Sequence, residues 1–322
     1  MERQGHGAVA EAAKEHERFL WGLCYRMTGV AADADDLVQE TFARALASPP
    51  ERTEELRPWL TRVAVNLARD HLRRRRREGY VGPWLPSPVE TGDAQASPPG
   101  VEAKLPGGGS TEGRYELLES VSYAFLLALE ALVPKQRAVL LLRDVFDYSV
   151  REVAEALSMT EANVKVVHHR ARAAMAEYDH ARCIPTKALQ DRTRTALETL
   201  LTALLSGDVA AAEAVLSSDV RALTDGGSEL RAARMPLLGV ERVLGVLFRL
   251  AELRGPPTAF EIQMLNGLPA LVADFAAAKD PMLATRVVMR VDLGADGRIA
   301  EFHSVLSARK LAGVRGPTAD GR

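Results

Sequence analysis

Apolar residues in the first 78 positions recur at spacings of three, four and seven, a pattern that predicts amphipathic helices. The clearest apolar runs are Phe19–Met27, Leu37–Leu46 and Leu60–Leu72. Thr28-Gly29 and Ser48-Pro49-Pro50 interrupt the pattern, so helices should end near them. We therefore expect a helical domain over residues 10–78.

Residues 79–110 contain seven glycines and six prolines, a composition typical of a linker rather than of a helix or strand. We place this linker at 79–114. Its first part, Tyr80 to Pro88, is apolar and stiffened by proline. Two interpretations stay open: a rigid spacer in which Trp84 is incidental, or a strip that packs on a folded surface.

Helical spacing returns over residues 115–180, where the segment 149–175 carries the strongest local motif. A first short helix would place Val150, Val153 and Leu157 on one face, and Thr160 is a favourable N-cap for a second helix. The basic side chains expected to point outward from the second helix are Lys165, His168, His169, Arg170 and Arg172. Two short helices joined by a tight turn, with the second one basic, predict a DNA-binding helix-turn-helix. A hairpin that serves only packing is the alternative.

From residue 190 the pattern becomes mixed, which predicts an α+β domain over 190–310. Helices are expected at 195–206 and 240–253, and strand-like runs at 220–224, 260–265, 284–293 and 299–306. The sequence Ala295-Asp296-Gly297-Arg298 predicts a hairpin turn between the last two strands. The chain has no Tyr after Tyr178 and no Trp after Trp84.

Charge is distributed in opposed patches although the formal net charge is only −2. Residues 57–77 carry eight arginines and one acid, whereas residues 31–40 carry four acids and no base. Five consecutive arginines, Arg73 to Arg77, suit phosphate neutralisation without sequence reading. Trp59 and Asn66 upstream of them suit an unpaired base, because a base taken from the stack needs an aromatic wall and an amide. A solvated charge run is the alternative.

The acidic helix places Asp36, Gln39 and Glu40 on one face. Clustered carboxylates could bind a metal, act as an acid–base pair or simply face solvent. We favour a protein docking face, because the same helix has apolar residues to pack on a core.

The two cysteines, Cys24 and Cys183, are far apart, so neither a disulfide framework nor a structural zinc site is expected. The N-terminus lacks the apolar core of a signal peptide, and no apolar run reaches the length of a membrane helix. These absences favour the cytoplasm.

Three segments in order resemble the group IV, or extracytoplasmic-function (ECF), sigma factors of bacterial RNA polymerase. Residues 33–46, DADDLVQETFARAL, resemble region 2.2 of that family, residues 57–77 resemble regions 2.3 and 2.4, and residues 131–175 resemble region 4. The resemblance implies two all-α sigma domains in a multidomain protein that is not an enzyme and needs no cofactor or metal. It implies two partners: the clamp of the largest subunits of core polymerase, and promoter DNA.

The resemblance also assigns roles to residues. Core-polymerase binding falls to Asp35, Asp36, Gln39 and Glu40 in region 2.2. Asn66 would lie beside the flipped base of the minus-ten element, with Arg62, Arg69 and Arg73 on or near the DNA backbone. The helix that enters the major groove at the minus-thirty-five element would use Lys165, Val166, His169 and Arg170, with Arg172 on a phosphate.

The C-terminal extension resembles a SnoaL-like α+β cone, and sigma factors of the SigJ-like kind carry this fusion. Their linker motif reads Trp84-Leu85-Pro86-Ser87-Pro88 here, and a second motif reads Asp225-Gly226-Gly227-Ser228. A third begins Asn266-Gly267-Leu268-Pro269. The implied role is regulatory, with the added domain holding the linker against the second motif. The residues expected at this regulatory contact are Trp84, Leu85, Pro86, Asp225, Gly226, Gly227, Asn266, Gly267 and Pro269.

Two other functions are kept as alternatives. The first is a SnoaL-like enzyme with acid–base candidates Asp225, Asp274 and His303, although the phenol of a steroid-isomerase-type site is missing after Tyr178. A C-terminal pocket that binds a small molecule without chemistry belongs with it. The second is a one-component helix-turn-helix repressor, which leaves the acidic helix and Asn66 unexplained.

Overall fold

The computed structural model describes residues 2–48, 56–91, 115, 119–278 and 280–318, with side chains from residue 15 onward. The chain divides into two compact units. The first contains residues 1–78 and 94–184, and the second contains residues 79–93 and 185–322. Pro49, Pro50 and the 92–114 part of the proposed linker lie outside the described residues.

The first unit begins with three helices, as the apolar spacing predicts. They are α1 (Glu2–Thr28), α2 (Ala31–Ala47) and α3 (Leu56–Glu78). Gly29 follows α1 with φ of 71°, a left-handed conformation that a side chain disfavours, and its N–H returns to the Tyr25 carbonyl at 2.6 Å. Apolar faces of all three helices meet in a core that includes Leu23, Val38 and Leu60, each at most 4% exposed.

Five further α-helices follow in the described part of the first unit. They are α4 (Tyr123–Ala128), α5 (Pro134–Asp144), α6 (Val150–Leu157), α7 (Glu161–Ala174) and α8 (Ala176–His180). Pro134 occupies the first position of α5, where its missing N–H costs nothing. Among the described residues, no helix combines the length and the apolar character that crossing a bilayer requires.

Aromatic contacts join the two groups of helices within this unit. The rings of Phe19 and Phe146 meet edge to face at 5.1 Å, and Phe19 stacks on Tyr148 at 6.0 Å. The Arg57 guanidinium lies over both Phe19 and Tyr148, and its Nε donates to the Tyr148 hydroxyl at 3.2 Å. Helix α3 is therefore fixed against the loop that precedes α6.

The second unit is an α+β fold built on a six-stranded sheet. Its strands are β1 (Leu216–Asp225), β2 (Leu237–Leu238), β3 (Ala259–Leu265), β4 (Leu268–Asp274), β5 (Arg286–Leu293) and β6 (Ile299–Val305). Its helices are α9 (Lys187–Ser206), α10 (Val209–Ala214), α11 (Val240–Arg254) and α12 (Ala308–Leu311). The strand order is β2-β1-β6-β5-β4-β3, and β1 pairs with β6 in parallel while the other pairs are antiparallel. One face of the sheet buries its apolar side chains against α9, α10 and α11.

Most predicted elements of this unit are present, but two strands were not predicted. The two-residue β2 is too short for a sequence pattern. Strand β4 is buried at almost every position, so it shows no alternation, and Pro269 argues against a strand. Asn266 and Gly267, with φ of 52° and 82°, form the tight turn between β3 and β4, which is the hairpin signal of an Asn-Gly pair.

Candidate polymerase- and DNA-binding surfaces

Helix α2 presents an exposed acidic face while its opposite face is buried. Asp35, Asp36, Gln39 and Glu40 are all exposed. The Trp21 Nε1–H donates to Asp35 Oδ1 at 2.7 Å, and Glu40 pairs with Arg44 at 2.9 Å. The fourth acid of the cluster, Asp33, is buried and lies 3.0 Å from His71 Nε2. One carboxylate of the acidic helix, Asp33, is therefore internal. The other three acids and Gln39 form the exposed face that the sequence predicted.

Helix α3 brings the predicted DNA-contacting residues onto one side. Trp59, Arg62, Asn66, Arg69 and Arg73 alternate at spacings of three and four, so they extend over about 21 Å at 1.5 Å per residue. Arg62, Asn66 and Arg73 are exposed, and Trp59 and Arg69 are half-buried. Arg69 Nη1 donates to Asn66 Oδ1 at 3.3 Å. This side carries a partly exposed indole and, two turns later, an exposed amide, with Arg62 between them and Arg69 and Arg73 beyond the amide.

The five consecutive arginines are not equivalent. Arg75 is only 19% exposed, and its guanidinium donates to the Thr28 carbonyl at 3.1 Å and to Glu130 Oε2 at 2.5 Å. The other oxygen of Glu130 lies 2.8 Å from Arg137, which also donates to the Met27 carbonyl at 2.6 Å. The pKa of Arg137 lies below its ordinary value, because the lowering effect of burial exceeds the raising effect of Glu130. Arg75 is therefore part of the internal structure of the first unit, contrary to the expectation of five arginines facing phosphates.

Helices α6 and α7 form the predicted helix-turn-helix. Ser149 caps α6 in a capping box with Glu152, which lowers the pKa of Glu152. Ser158 takes a left-handed conformation at the end of α6, with φ of 51°. The Thr160 side chain then accepts the Asn163 N–H at 3.2 Å at the start of α7. The structure therefore confirms the predicted turn between the two helices and the predicted cap at Thr160, and it adds the cap at Ser149.

Helix α7 buries one stripe and exposes most of its predicted DNA-binding residues. Val164, Val167 and Ala171 pack inward. The exposed predicted residues are Lys165, Val166, His169 and Arg170, and Arg172 is half-buried. An open cavity of about 540 Å³ is lined by Lys165, His168, His169, Arg172, Ala173 and Asp179. After Glu161 at its start, the charged side chains that α7 exposes or half-exposes are therefore all basic.

His168 is an exception to the outward orientation predicted for the basic residues of α7. It is half-buried, and its Nε2 lies 2.8 Å from Oδ1 of Asp144 at the end of α5. Asp144 is itself only 5% exposed. His168 therefore ties α7 to α5 rather than facing solvent.

The linker segment 80–91 packs within the second unit, centred on the buried carboxylate of Asp225. Oδ1 accepts the Tyr80 hydroxyl at 2.5 Å and the Gly227 N–H at 3.0 Å. Oδ2 accepts the Leu85 N–H at 2.7 Å and lies 2.6 Å from Lys310 Nζ. We name this segment, together with Asp225, Asn266 and Lys310, the linker dock.

Asn266 forms the second anchor of the linker dock. Its side-chain Oδ1 accepts the Val89 N–H at 2.9 Å, and its own N–H donates to the Val89 carbonyl at 2.9 Å. The Gly267 N–H donates to Thr91 Oγ1 at 2.9 Å, and the Thr91 N–H donates to the Met264 carbonyl at 2.9 Å. The linker therefore continues the sheet beyond the edge strand β3.

The remaining residues predicted for the linker contact also lie in or next to this dock. Leu85 and Pro86 are buried, and Trp84 is half-buried with its ring 4.7 Å from Lys310 Nζ. Pro269 is buried in β4 and pairs with Met264 rather than with the linker. Gly226 is required by space, because a Cβ there would lie 2.8 Å from the Leu230 carbonyl oxygen.

The sequence analysis assigned no contact role to four residues that take part in the dock: Tyr80, Val89, Thr91 and Lys310. Tyr80 is the tyrosine of the second unit, because the part of that unit that follows Tyr178 contains none. Lys310 comes from the short α12, which carries no sequence motif. The apolar, Pro-stiffened character of the segment was the available signal for Tyr80.

The acid–base candidates of the alternative enzyme function each have other partners. Asp225 belongs to the linker dock, and Asp274 pairs with Arg286 at 2.6 Å. His303 is 1% exposed and lies 3.4 Å from each of Asp292 and Glu301.

The potential metal ligands Asp292, Glu301 and His303 lie within 4.8 Å of one another, and arginines already face both carboxylates. Burial alone would raise the pKa of Glu301, but the hydrogen bond with His303 and the charge of Arg221 bring it below its ordinary value. The group is therefore a charge-balanced network on the sheet.

Comparison with known proteins identifies the family. Residues 12–78 match the family described as sigma-70 region 2, and residues 122–175 match sigma-70, region 4. The ECF RNA polymerase sigma factor SigJ of Mycobacterium tuberculosis is 32% identical over 94% of this chain and 92% of its own length. The chain belongs to the ECF RNA polymerase sigma factors.

Two further similarities also extend over nearly all of this sigma factor. The probable ECF sigma factor SigI of Mycobacterium tuberculosis is 26% identical over 98% of this chain and 99% of its own length. The crystal structure of Mycobacterium tuberculosis SigJ matches with a TM-score of 0.67 and 25% identity, covering 95% of this chain and 98% of that one. As a sigma factor, the protein binds core RNA polymerase and promoter DNA.

Proposed function

We propose that this sigma factor grips core polymerase with the exposed acidic face of α2, reads promoter DNA with α3 and α7, and is regulated by its C-terminal unit through the linker dock. The observation that carries the proposal is the exposure of the predicted contact residues. All four on α2 are exposed, and those on α3 and α7 are exposed except for the half-buried Trp59, Arg69 and Arg172, while the linker is held by buried polar groups. The second unit would then be a SnoaL-like domain acting as a built-in regulator.

The proposed polymerase contact rests on the two faces of α2, one buried and apolar, the other exposed and acidic. Leu37 and Val38 are buried and fix the helix on the core, whereas Asp35, Asp36 and Glu40 lie on its exposed side. Trp21 holds Asp35 by a hydrogen bond, which orients this carboxylate toward solvent before any partner binds. A preoriented acidic face suits a basic surface on the partner.

The minus-ten contact rests on Asn66 and Trp59 lying seven residues apart on the same side of α3. An exposed amide can hydrogen-bond the edge of an unpaired base, and a partly exposed indole can stack on it. Arg62 and Arg73 lie along the same side, where they can bind phosphates on either side of that base.

The regulatory role rests on the buried hydrogen bonds of the linker dock. Asp225 and Asn266 are 1% and 0% exposed, and both bind linker main-chain N–H groups. Because buried polar groups left without partners cost free energy, the linker should stay docked unless another partner replaces these bonds. A docked linker restricts the distance that regions 2 and 4 can span on a promoter.

The polymerase contact can be tested by charge reversal. We expect the double variant Asp36→Lys with Glu40→Lys to stop co-eluting with core polymerase in gel filtration. The matched control reverses two other exposed acids, Glu155→Lys with Glu177→Lys, and should still co-elute. Equal retention of both double variants on core polymerase contradicts the assignment of α2.

The DNA contact of α3 can be tested separately from polymerase binding. Asn66→Ala and Trp59→Ala should still form holoenzyme but lose run-off transcription by tenfold or more from a linear promoter. On a promoter with a premelted minus-ten bubble, Asn66→Ala should stay defective because base recognition is absent. A variant of an exposed arginine on α6, Arg151→Ala, is the control and should transcribe normally. Full activity of Asn66→Ala on the premelted template excludes the proposed base contact.

A further inference from the structure

The exposed surface of α7 has a central stripe of mostly small or apolar residues as well as its basic residues. Its central stripe contains Ala162, Val166, His169 and Ala173, at spacings of four, three and four, and all four are exposed. Two small residues and a valine thus occupy the middle of the exposed surface, whereas Lys165, Arg170 and Arg172 lie away from this stripe. The centre of the exposed surface therefore carries mostly short side chains.

The cations lie on both sides of this stripe. Lys165 and Arg172 flank it on one side, and Arg170 flanks it on the other. Cations on both sides of a helix suit the phosphates of the two strands that border a groove. Such contacts position the helix but carry no sequence information.

Val166 is the residue of the stripe that the fold does not explain. It is 49% exposed, whereas Val164 and Val167 beside it are 1% and 9% exposed and supply the packing of α7. A β-branched residue has no advantage for helix formation at an exposed position. Its role therefore has to come from what the exposed surface contacts.

The major groove offers one apolar group to such a side chain, the C5-methyl of thymine. In a helix-turn-helix the N-terminal residues of the recognition helix reach the base edges, and Val166 is the sixth residue of α7. We propose that Val166, with Ala162 one turn before it, contacts the C5-methyl of a thymine in the minus-thirty-five element and thereby selects that base. This inference rests on the proposed role of α7 in promoter reading.

His168 is not assigned a contact with the DNA bases, because its side chain has a partner inside the protein. Its Nε2 is engaged with the buried Asp144, so the ring is held on the side of α7 that faces α5. His169 remains on the central stripe as a polar neighbour of Val166. The thymine contact is thus assigned to the turn of α7 that contains Ala162 and Val166.

The experiment begins by finding the preferred minus-thirty-five sequence. Holoenzyme reconstituted from core polymerase and the full chain is used to select from duplexes with a randomised minus-thirty-five region. We expect one position to be enriched in thymine. Each enriched thymine is then replaced by deoxyuridine, which pairs identically but lacks the methyl group, and holoenzyme affinity is measured by fluorescence anisotropy.

One replacement should weaken binding by about fourfold, the effect of withdrawing a single buried methyl group. The variant Val166→Ser should bind the thymine and deoxyuridine duplexes equally. Arg172→Gln should weaken both duplexes while keeping their ratio. Thermal midpoints of both variants should match the wild-type chain, because both positions are at least partly exposed.

The possible failures are distinguishable. Absence of any enriched minus-thirty-five sequence, with holoenzyme still formed, overturns the proposed role of α7 itself. An enriched sequence without thymine, or a deoxyuridine effect that persists unchanged in Val166→Ser, overturns the thymine contact alone.

Discussion

The Lys310 Nζ lies 2.6 Å from the Asp225 carboxylate and 2.6 Å from the Leu85 carbonyl oxygen. Both charged side chains are almost fully buried, and the rings of Tyr80 and Trp84 lie 4.8 Å and 4.7 Å from the ammonium. A lysine near the end of the chain thus joins β1 to a segment more than two hundred residues earlier. Because the ammonium contacts both partners, the ion pair and the docking of the linker depend on each other.

We expect Lys310→Met to destabilise the linker dock by about 3–5 kcal/mol, because it leaves the Asp225 carboxylate buried without its cation. Hydrogen–deuterium exchange at the Leu85 amide should accelerate accordingly, since that N–H binds Asp225. The double variant with Asp225→Asn should cost less than the sum of the single variants.

The exposed pair Lys187 and Asp191 is the matched control, and its removal should change stability by less than about 1 kcal/mol. Additive effects of the Lys310 and Asp225 variants, with unchanged amide exchange at Leu85, contradict the coupling.

The arginines that follow each other in α3 should differ in their contribution to DNA binding. Replacing the exposed Arg73 with Gln should reduce the slope of log affinity against log salt by about 0.9, the effect of losing one phosphate contact. Arg75→Gln should leave the slope unchanged but lower the stability of the first unit, since Arg75 binds Glu130 and the Thr28 carbonyl. Anisotropy titrations of the full chain on one duplex at several salt concentrations measure both. Equal slopes for the two variants exclude this distinction.

The different roles of Arg73 and Arg75 show that the sequence alone could not predict which arginines are buried. Local patterns predicted the helix-turn-helix well, because Ser149 and Thr160 are caps that act within three residues of their partners. Arg75 looks identical to its neighbours in sequence, because the carboxylate that binds it belongs to a residue 55 positions later. The ends of the helices are local properties, whereas burial of a charge depends on distant packing.

In the second unit, too, contacts between residues far apart in the sequence were only partly predictable. The linker motif and the Asp225-Gly226-Gly227 motif were placed together from a resemblance, and the structure brings them into direct hydrogen-bonding contact. Lys310, which completes the arrangement, has no motif around it. Strand β4 was missed because burial on both faces removes the alternation that marks a strand.

Two glycines of the second unit should respond oppositely to alanine. Gly226→Ala should destabilise this unit by about 1–3 kcal/mol, because its Cβ would lie 2.8 Å from the Leu230 carbonyl oxygen and 2.9 Å from the Ala232 Cβ. Gly245→Ala in the middle of α11 meets no atom within 4 Å and should stabilise the helix by up to about 1 kcal/mol. Thermal unfolding of the two full-length variants provides the comparison. A destabilised Gly245→Ala or a neutral Gly226→Ala contradicts the packing described for these sites.

Glu301 should contribute stability that depends on pH. Its pKa is lowered in the folded chain from the ordinary value of 4.5, so its ionised form stabilises the fold above that pH and the contribution is lost as pH falls through the lowered pKa. Glu301→Gln should therefore be less stable than the wild-type chain at pH 7, and the difference should shrink below about pH 4. Urea unfolding across this range measures the change. The exposed Glu198→Gln is the control, and a Glu301→Gln deficit that stays constant with pH argues against this network.

Strand β3 lies at one end of the sheet, and in the docked state its free edge is occupied by the linker through the Glu90–Leu265 bridge and the hydrogen bonds of Thr91. Leaving the dock would open a row of unpaired main-chain groups and uncover Leu85, which is 0% exposed when docked. Open strand edges of this kind attract other chains and promote self-association. A form of this sigma factor with the linker released would thus carry a risk of self-association that the docked form avoids, which favours brief release over permanent opening.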